Sequence, residues 1–404
     1  MLGVRVALFE IRYLLRLPRT YFLFVLFFCL GFLFSPMLDP RVFGAGGAAN
    51  INSPFFVTAI HLACGFIAVL FLPPYMSASL RRDIDCQFDE ILFSTHVSEG
   101  AYLTGRFFGA YVSLMLVLSG ATLGMLFSNF WLVWTPASVG ETHIAYYATA
   151  YFLFSAPTIL ILAALISSAL VVFGSSIYAY AGVVVLLICS ALGSITRGVS
   201  GAIASTIDPF LIAAFTEQTR YWTPVELNAT AISYGAPVLQ NRLLWIAIAA
   251  ALALLARRSF SFRSTAARRA SRKTIPNRGA ATPVAFSEPL DRSAAPRWTA
   301  STAAHQFLKL VALELKAIFF GRPFLVFLVL SVILIYLLLP NVRSIYGAAV
   351  FPLTRLMIES VFGVLPLPLA IVLVYGTGEI VWRERSFRVD EIVDSMPVPS
   401  WVLA

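Results

Sequence analysis

The sequence predicts an all-α polytopic membrane protein, on three observations. Hydrophobic residues make up 59% of the chain. Charged residues make up only 12%, about half the ~25% of an ordinary soluble domain. A bilayer allows apolar side chains to face outward all round a helix, whereas a soluble core of this size needs a charged shell. Finally, the apolar runs are unbroken, as from Tyr21 to Phe34, where the strands of a membrane barrel would alternate apolar and polar residues.

Eight stretches approach the roughly 20 apolar residues a spanning helix needs. They lie near 20–38, 55–77, 107–128, 145–168, 174–195, 238–256, 323–340 and 356–381. Phe173-Gly174-Ser175-Ser176 divides the fourth from the fifth, and a tight turn between antiparallel helices is expected there. Ser53-Pro54 reads as a capping hydroxyl before a proline at the first helical position, and Thr223-Pro224-Val225-Glu226 as a capping box. The region around 196–237 is therefore expected to be a structured external hairpin. Its Asn228-Ala229-Thr230 matches a glycosylation acceptor, a pattern too short to carry functional meaning.

Positive residues are retained on the cytoplasmic side. With the N-terminus cytoplasmic, segments 1–19, 81–106, 169–173, 257–322 and 382–404 carry 23 of the 29 Lys and Arg. Ten of these lie between 257 and 297 against only Glu288 and Asp291, in a stretch rich in Ala, Ser, Arg and Pro without apolar period. It reads as a cytoplasmic linker, 257–304. The basic balance thus reflects topology, with anionic lipid as the expected contact. Nothing beside Arg268-Arg269 or Arg272-Lys273 resembles a nucleic-acid-reading module.

The chain repeats itself across that linker. Leu8-Phe9-Glu10-Ile11-Arg12 parallels Ala312-Leu313-Glu314-Leu315-Lys316 at an offset of 304. Residues 88–97 and 389–398 share five identities in ten at an offset of 301, which also relates Arg82 to Arg383. Two matches at similar offsets indicate internal duplication. Residues 1–256 are then a first unit and 305–404 the start of a second, which breaks off inside its own motif and is expected to continue.

Each unit opens with a helix of interfacial pattern. In the first, Arg5, Arg12, Arg16 and Arg19 share one helical face and Val4, Leu8, Ile11 and Leu15 another; a solvated collar that only fixes topology fits the same pattern. After the second span of each unit comes an Asp-Glu-Ile motif. Its carboxylates and following apolar residues suit a short element plugging a partner's groove, an ordinary polar loop being the alternative. General acid/base chemistry by the carboxylate pair is excluded, because adjacent residues on a helix point about 100° apart.

Other chemistry is missing from the sequence. There is no Gly-Lys dipeptide for a phosphate-binding Walker loop, no His-Glu-x-x-His and no Gly-x-Ser-x-Gly. The histidines are far apart, and Cys29, Cys64, Cys86 and Cys189 show no paired spacing. No catalytic or metal-binding residue is assigned. Inside the spans, His61 and the pair Arg355 and Glu359 could line a substrate route, or serve only as a local ion pair and interface anchors.

The repeated Asp-Glu-Ile segments, the amphipathic leading helices and the Gly378-Glu379-Ile380-Val381-Trp382-Arg383-Glu384-Arg385 run resemble ABC-2-type transporter permeases. The resemblance extends to bacterial permeases fused to a zinc aminopeptidase, whose external signature is matched by Asp208-Pro209-Phe210, Arg220 to Asn228, and Asn241-Arg242-Leu243-Leu244-Trp245. It implies a six-helix permease unit plus the first two helices of a second, in a bacterial inner membrane. It also implies docking on a separate ATP-binding subunit through Arg82, Asp89, Glu90, Ile91, Leu92, Ser94, Arg383, Asp390, Glu391, Ile392 and Ser395. ATP and magnesium would belong to that partner, and this chain would hold no cofactor. Membrane lipids and a second permease unit or dimer partner complete the expected contacts, and nucleic acid is not among them. Unlike the fused proteins, this sequence carries no aminopeptidase motif. The expected function is the membrane subunit of an ATP-driven exporter, the alternative a scaffold for an extracytoplasmic peptidase. A secondary transporter is disfavoured by the lack of several acidic residues within spans.

Overall fold

A computed structural model describes residues 2–37, 49–86, 88, 91–92, 94, 96–131, 139–174, 176–196, 200–262, 300–338 and scattered positions between 344 and 378. The chain divides into two compact units, Met1–Phe262 with Leu330–Pro366, and Arg263–Val329 with Leu367–Ala404.

The described residues are almost entirely helical. In the first unit these are α1 (Leu2–Leu15), α2 (Pro18–Met37), α3 (Pro54–Ala68), α4 (Leu72–Leu80) and α5 (Arg82–Asp85). There follow α6 (Glu99–Phe130), α7 (Ile144–Phe173), α8 (Ser176–Thr196), α9 (Gly201–Ile207), α10 (Ile212–Thr219), α11 (Pro224–Ala229) and α12 (Ala236–Ser259). Among the described residues four helices, α2, α6, α7 and α12, are long and apolar enough to cross a membrane, and a fifth span arises if α3 and α4 count as one.

That pair corrects the continuous span expected over 55–77. The two helices meet at a 57° bend. Pro73 and Pro74 have no N–H to offer the carbonyls four residues earlier, so the helix cannot run through them. It closes instead on tighter i−3 bonds, Leu70 N–H to Ile67 O at 3.1 Å and Phe71 N–H to Ala68 O at 3.0 Å. The third span is also longer than expected. It begins at Glu99, capped by the Ser98 hydroxyl, and its 32 residues extend roughly 48 Å, well beyond the ~30 Å hydrocarbon core. Residues 99–106, read from sequence as loop, are therefore its first two turns.

α7 carries a π-helical segment, Ala150–Ser155. Its cause is Pro157, which leaves the Leu153 carbonyl without its helical donor. The Tyr234 hydroxyl takes that carbonyl instead, and the Tyr111 hydroxyl donates to Ala156 O at 3.0 Å. Gly174 ends the helix in the left-handed region, φ 68°, its N–H bonded to Leu170 O at 2.9 Å; the expected turn is there. Both expected caps form as well, Ser53 Oγ accepting from Phe56 N–H at 3.2 Å and Thr223 completing its box with Glu226.

Hydrogen bonds sort the turns onto two sides. On one, Arg81 donates to Gly174 O, Ser77 meets Ser176 at 2.7 Å, and Phe262 N–H reaches Glu99 Oε1 at 2.9 Å. On the other, Asn50 N–H donates to Asn228 Oδ1 at 2.7 Å, while Asn52 exchanges bonds with Gly140 at 2.6 and 2.8 Å. α2 and α6 cross closely between them: a Cβ on Gly120 would lie 2.5 Å from Phe24 O, so only glycine admits that approach.

Described by itself, the later part of the chain contains α13 (Ala300–Phe319), α14 (Arg322–Leu338) and a two-residue antiparallel pair, β1 (Ser344–Ile345) with β2 (Ala348–Ala349). α13, a two-residue break and the Pro-containing α14 repeat the local order of α1, break and α2. The expected linker bounds move inward, since α12 continues to Ser259 and α13 begins at Ala300. Linker residues 263–299 lie outside the described residues.

Candidate functional site

α1 presents three faces. Arg5 and Arg12 are exposed on it, and the apolar Val4, Leu8 and Phe9 are exposed too; Arg16 and Arg19, expected on the same helical face, are exposed but fall in the break after Leu15 and in the first turn of α2, because the helix stops before Pro18. The third face meets α6. A Cβ on Gly105 would lie 2.6 Å from Val6 Cβ, and one on Gly109 2.6 Å from Glu10 Cβ, so two glycines one turn apart open the groove in which α1 sits.

Through that groove Glu10 enters the protein, with a fully buried side chain at 0% exposure. Arg82 grips it as a two-pronged fork, Nη1 to Oε1 at 3.2 Å and Nη2 to Oε2 at 2.9 Å. Arg106 of α6 donates from Nη1 to the same carboxylate and from Nη2 to Asp83. The Tyr102 hydroxyl adds a bond to Asp83 Oδ2 at 2.9 Å, and the Arg82 guanidinium lies 3.8 Å above the Tyr13 ring. Two acids and two arginines thus balance in charge, and they tie together α1, α5 and α6. Burial pushes the Glu10 carboxyl above its ordinary value, against the pull of Arg82.

The Asp-Glu-Ile motif leaves directly from this latch. Phe88 N–H bonds Asp83 O at 2.8 Å, Leu92 N–H bonds Phe88 O at 3.0 Å, and Ser94 Oγ donates to Ile91 O at 2.8 Å. Ile91 is 63% exposed. Leu92 is half-buried, and the second exposed apolar side chain beside Ile91 is Phe88, which the sequence reading passed over. Asp89 and Glu90 lie outside the described residues, as do Glu359, Arg383, Asp390, Glu391, Ile392 and Ser395. Arg355 is exposed.

His61 is buried between α3 and α6. Its Nδ1 lies 2.8 Å from Val57 O and its Nε2 3.0 Å from the Thr122 hydroxyl. Because a carbonyl only accepts, Nδ1 carries the proton and Nε2 accepts. Both ring nitrogens are thereby used in helix packing.

At the start of α12 two of the three signature segments come together, Asp208-Pro209-Phe210 and Asn241 to Trp245, while Asn228 of the other bonds Asn50 N–H instead. Asp208 accepts from Phe210 N–H at 3.1 Å and Ala213 N–H at 2.8 Å, holding the start of α10, where Leu211 adopts φ 71°. Asn241 Nδ2 donates to Ser205 O and Asp208 O, each at 2.7 Å, and Trp245 Nε1 to Thr206 O at 3.1 Å, closing the carbonyl end of α9. Burial pushes the Asp208 carboxyl up, against its backbone donors. Arg242, 3% exposed, makes no guanidinium hydrogen bond among the described residues.

The class these observations define is an all-helical protein with several helices of membrane-spanning length, carrying a buried charge latch on one side and a backbone-capping node on the other. No family model, curated protein or solved structure matches the chain.

Proposed function

We propose that the chain is the membrane-spanning permease subunit of an ATP-driven exporter of the ABC-2 type. In this reading a six-span unit is followed by the first two spans of a second, the latch side with the N-terminus faces the cytoplasm of a bacterial inner membrane, and a separate ATPase docks there. The observation that carries it is the latch. An interfacial helix, the short α5 from which the motif segment with exposed Phe88 and Ile91 runs on, and the longest spanning helix share two carboxylates and two guanidiniums. A push on the motif segment is then transmitted to α1 and α6 together, because shifting any one of them unpairs buried charge. The positive-residue excess supports the orientation.

The test is whether a Walker-motif ATPase is encoded beside this reading frame and, if so, co-expression with it. The ATPase is expected to co-purify, and Ile91→Asp to lower its recovery about tenfold or more by placing a charge in a desolvated contact. Glu10→Gln should retain docking while lowering ATPase stimulation. Equal recovery with Ile91→Asp, or no ATPase partner at all, would favour a scaffold. Cysteine labelling of intact cells at position 216 but not 270, in a background without native cysteines, is the outcome expected for the orientation.

A further inference from the structure

A cavity of about 410 Å³ opens between Leu80 of α4, Gly100 to Phe108 of α6, Ala164 to Val171 of α7 and Ala250 to Arg257 of α12. Its size is that of a ligand pocket, and its wall is almost wholly apolar. Three hydroxyl side chains line it. Thr104 and Ser168 donate to backbone carbonyls one turn back, Gly100 O and Ala164 O, each at 2.6 Å. Ser167, only 6% exposed, has no hydrogen-bond partner among the described residues.

The charge lies at one end. Arg257 crosses the first turn of α6, where a Cβ on Gly100 would lie 3.3 Å from Nη2. That turn is a helix N-terminus, favourable to anions, and the neighbouring carboxylate, Glu99, is engaged by Phe262 N–H at 2.9 Å. The rim residues Phe108 and Leu254 are exposed on helices long enough to cross a membrane, so the cavity opens where acyl chains lie.

We infer that this cavity binds one anionic phospholipid of the adjoining leaflet, with an acyl chain inside and the phosphate on Arg257. The inference does not depend on transport or on which compartment this side faces.

Native mass spectrometry of the purified full chain with added phosphatidylglycerol or phosphatidylcholine of matched chains tests it. One phosphatidylglycerol should be retained per chain, preferred about fivefold. Ala253→Phe, which fills the cavity from an exposed helix face, should lower retention of both lipids about tenfold. Arg257→Gln should abolish the preference while leaving a lipid bound. Wild-type binding by Ala253→Phe, or a preference surviving in Arg257→Gln, would overturn the proposal. So would displacement by glycerol phosphate, which has no acyl chain. The milder Arg257→Gln keeps the test decisive if Ala253→Phe misfolds.

Discussion

The latch around Glu10 and the node around Asp208 both bury charge at an end of the same helical unit, yet they satisfy it differently. In the latch, side chains neutralise side chains: Glu10 and Asp83 face Arg82 and Arg106. In the node, Asp208 and Asn241 spend their hydrogen bonds on backbone groups, and Arg242 is buried beside them without a bonded acceptor. A side-chain network couples separate helices and fails when one member is lost. A backbone-capping node fixes local loop structure and fails more gently. The former suits transmission of movement, the latter a rigid cover.

The largest expected effect is in the latch. Glu10→Ala leaves two buried guanidiniums facing each other and should cost about 3–5 kcal/mol, read as a fall in thermal unfolding temperature in detergent. A loss below about 1 kcal/mol would mean that water replaces the carboxylate and that the latch is not a buried network. Next is Asn241→Leu, which strands the carbonyls at the end of α9. A cost of about 1–3 kcal/mol is expected in the same assay, with exchange faster around residues 201–213 but not at α1. Should α1 loosen too, the two ends are coupled and the contrast fails.

Two buried arginines give the sharpest contrast. Arg106→Met removes a guanidinium bonded to two carboxylates and should destabilise strongly. Arg242→Met removes one that faces the buried Asp208 charge without hydrogen-bonding it, and should cost clearly less, about 1 kcal/mol. Equal losses from both would show that Arg242 is as well satisfied as Arg106.

The smallest effect concerns the cap of α11. Glu226 is held below its ordinary value of 4.5 by the Thr223 backbone and hydroxyl. A depressed carboxylate adds stability that is present above 4.5 and is lost as pH falls through the native value. Exchange at the amides of Leu227 and Thr230 should therefore quicken selectively in acid, and Glu226→Gln should remove that pH response.

What the sequence by itself determined is what local chemistry dictates. Apolar runs located the long helices, Ser53 and Thr223 announced their caps, and Gly174 its turn, because each depends on neighbours within a few residues. The 57° break before Pro73 was legible in principle, since two adjacent prolines remove two helical donors. The latch was not. Glu10 looked like a polar residue on an interfacial helix and a repeat match to Glu314, and Arg106 like a loop charge. Only the tertiary structure decided their roles, because Gly105 and Gly109 lower α1 into α6 and bring together residues 72 and 96 positions apart. The same holds for Arg257: in sequence it is one charge at the end of an apolar run, and only the packing of α4, α6, α7 and α12 sets it at the end of a cavity. Burial is a property of the assembled helices, and the free energy of a charge or a hydroxyl depends on what surrounds it.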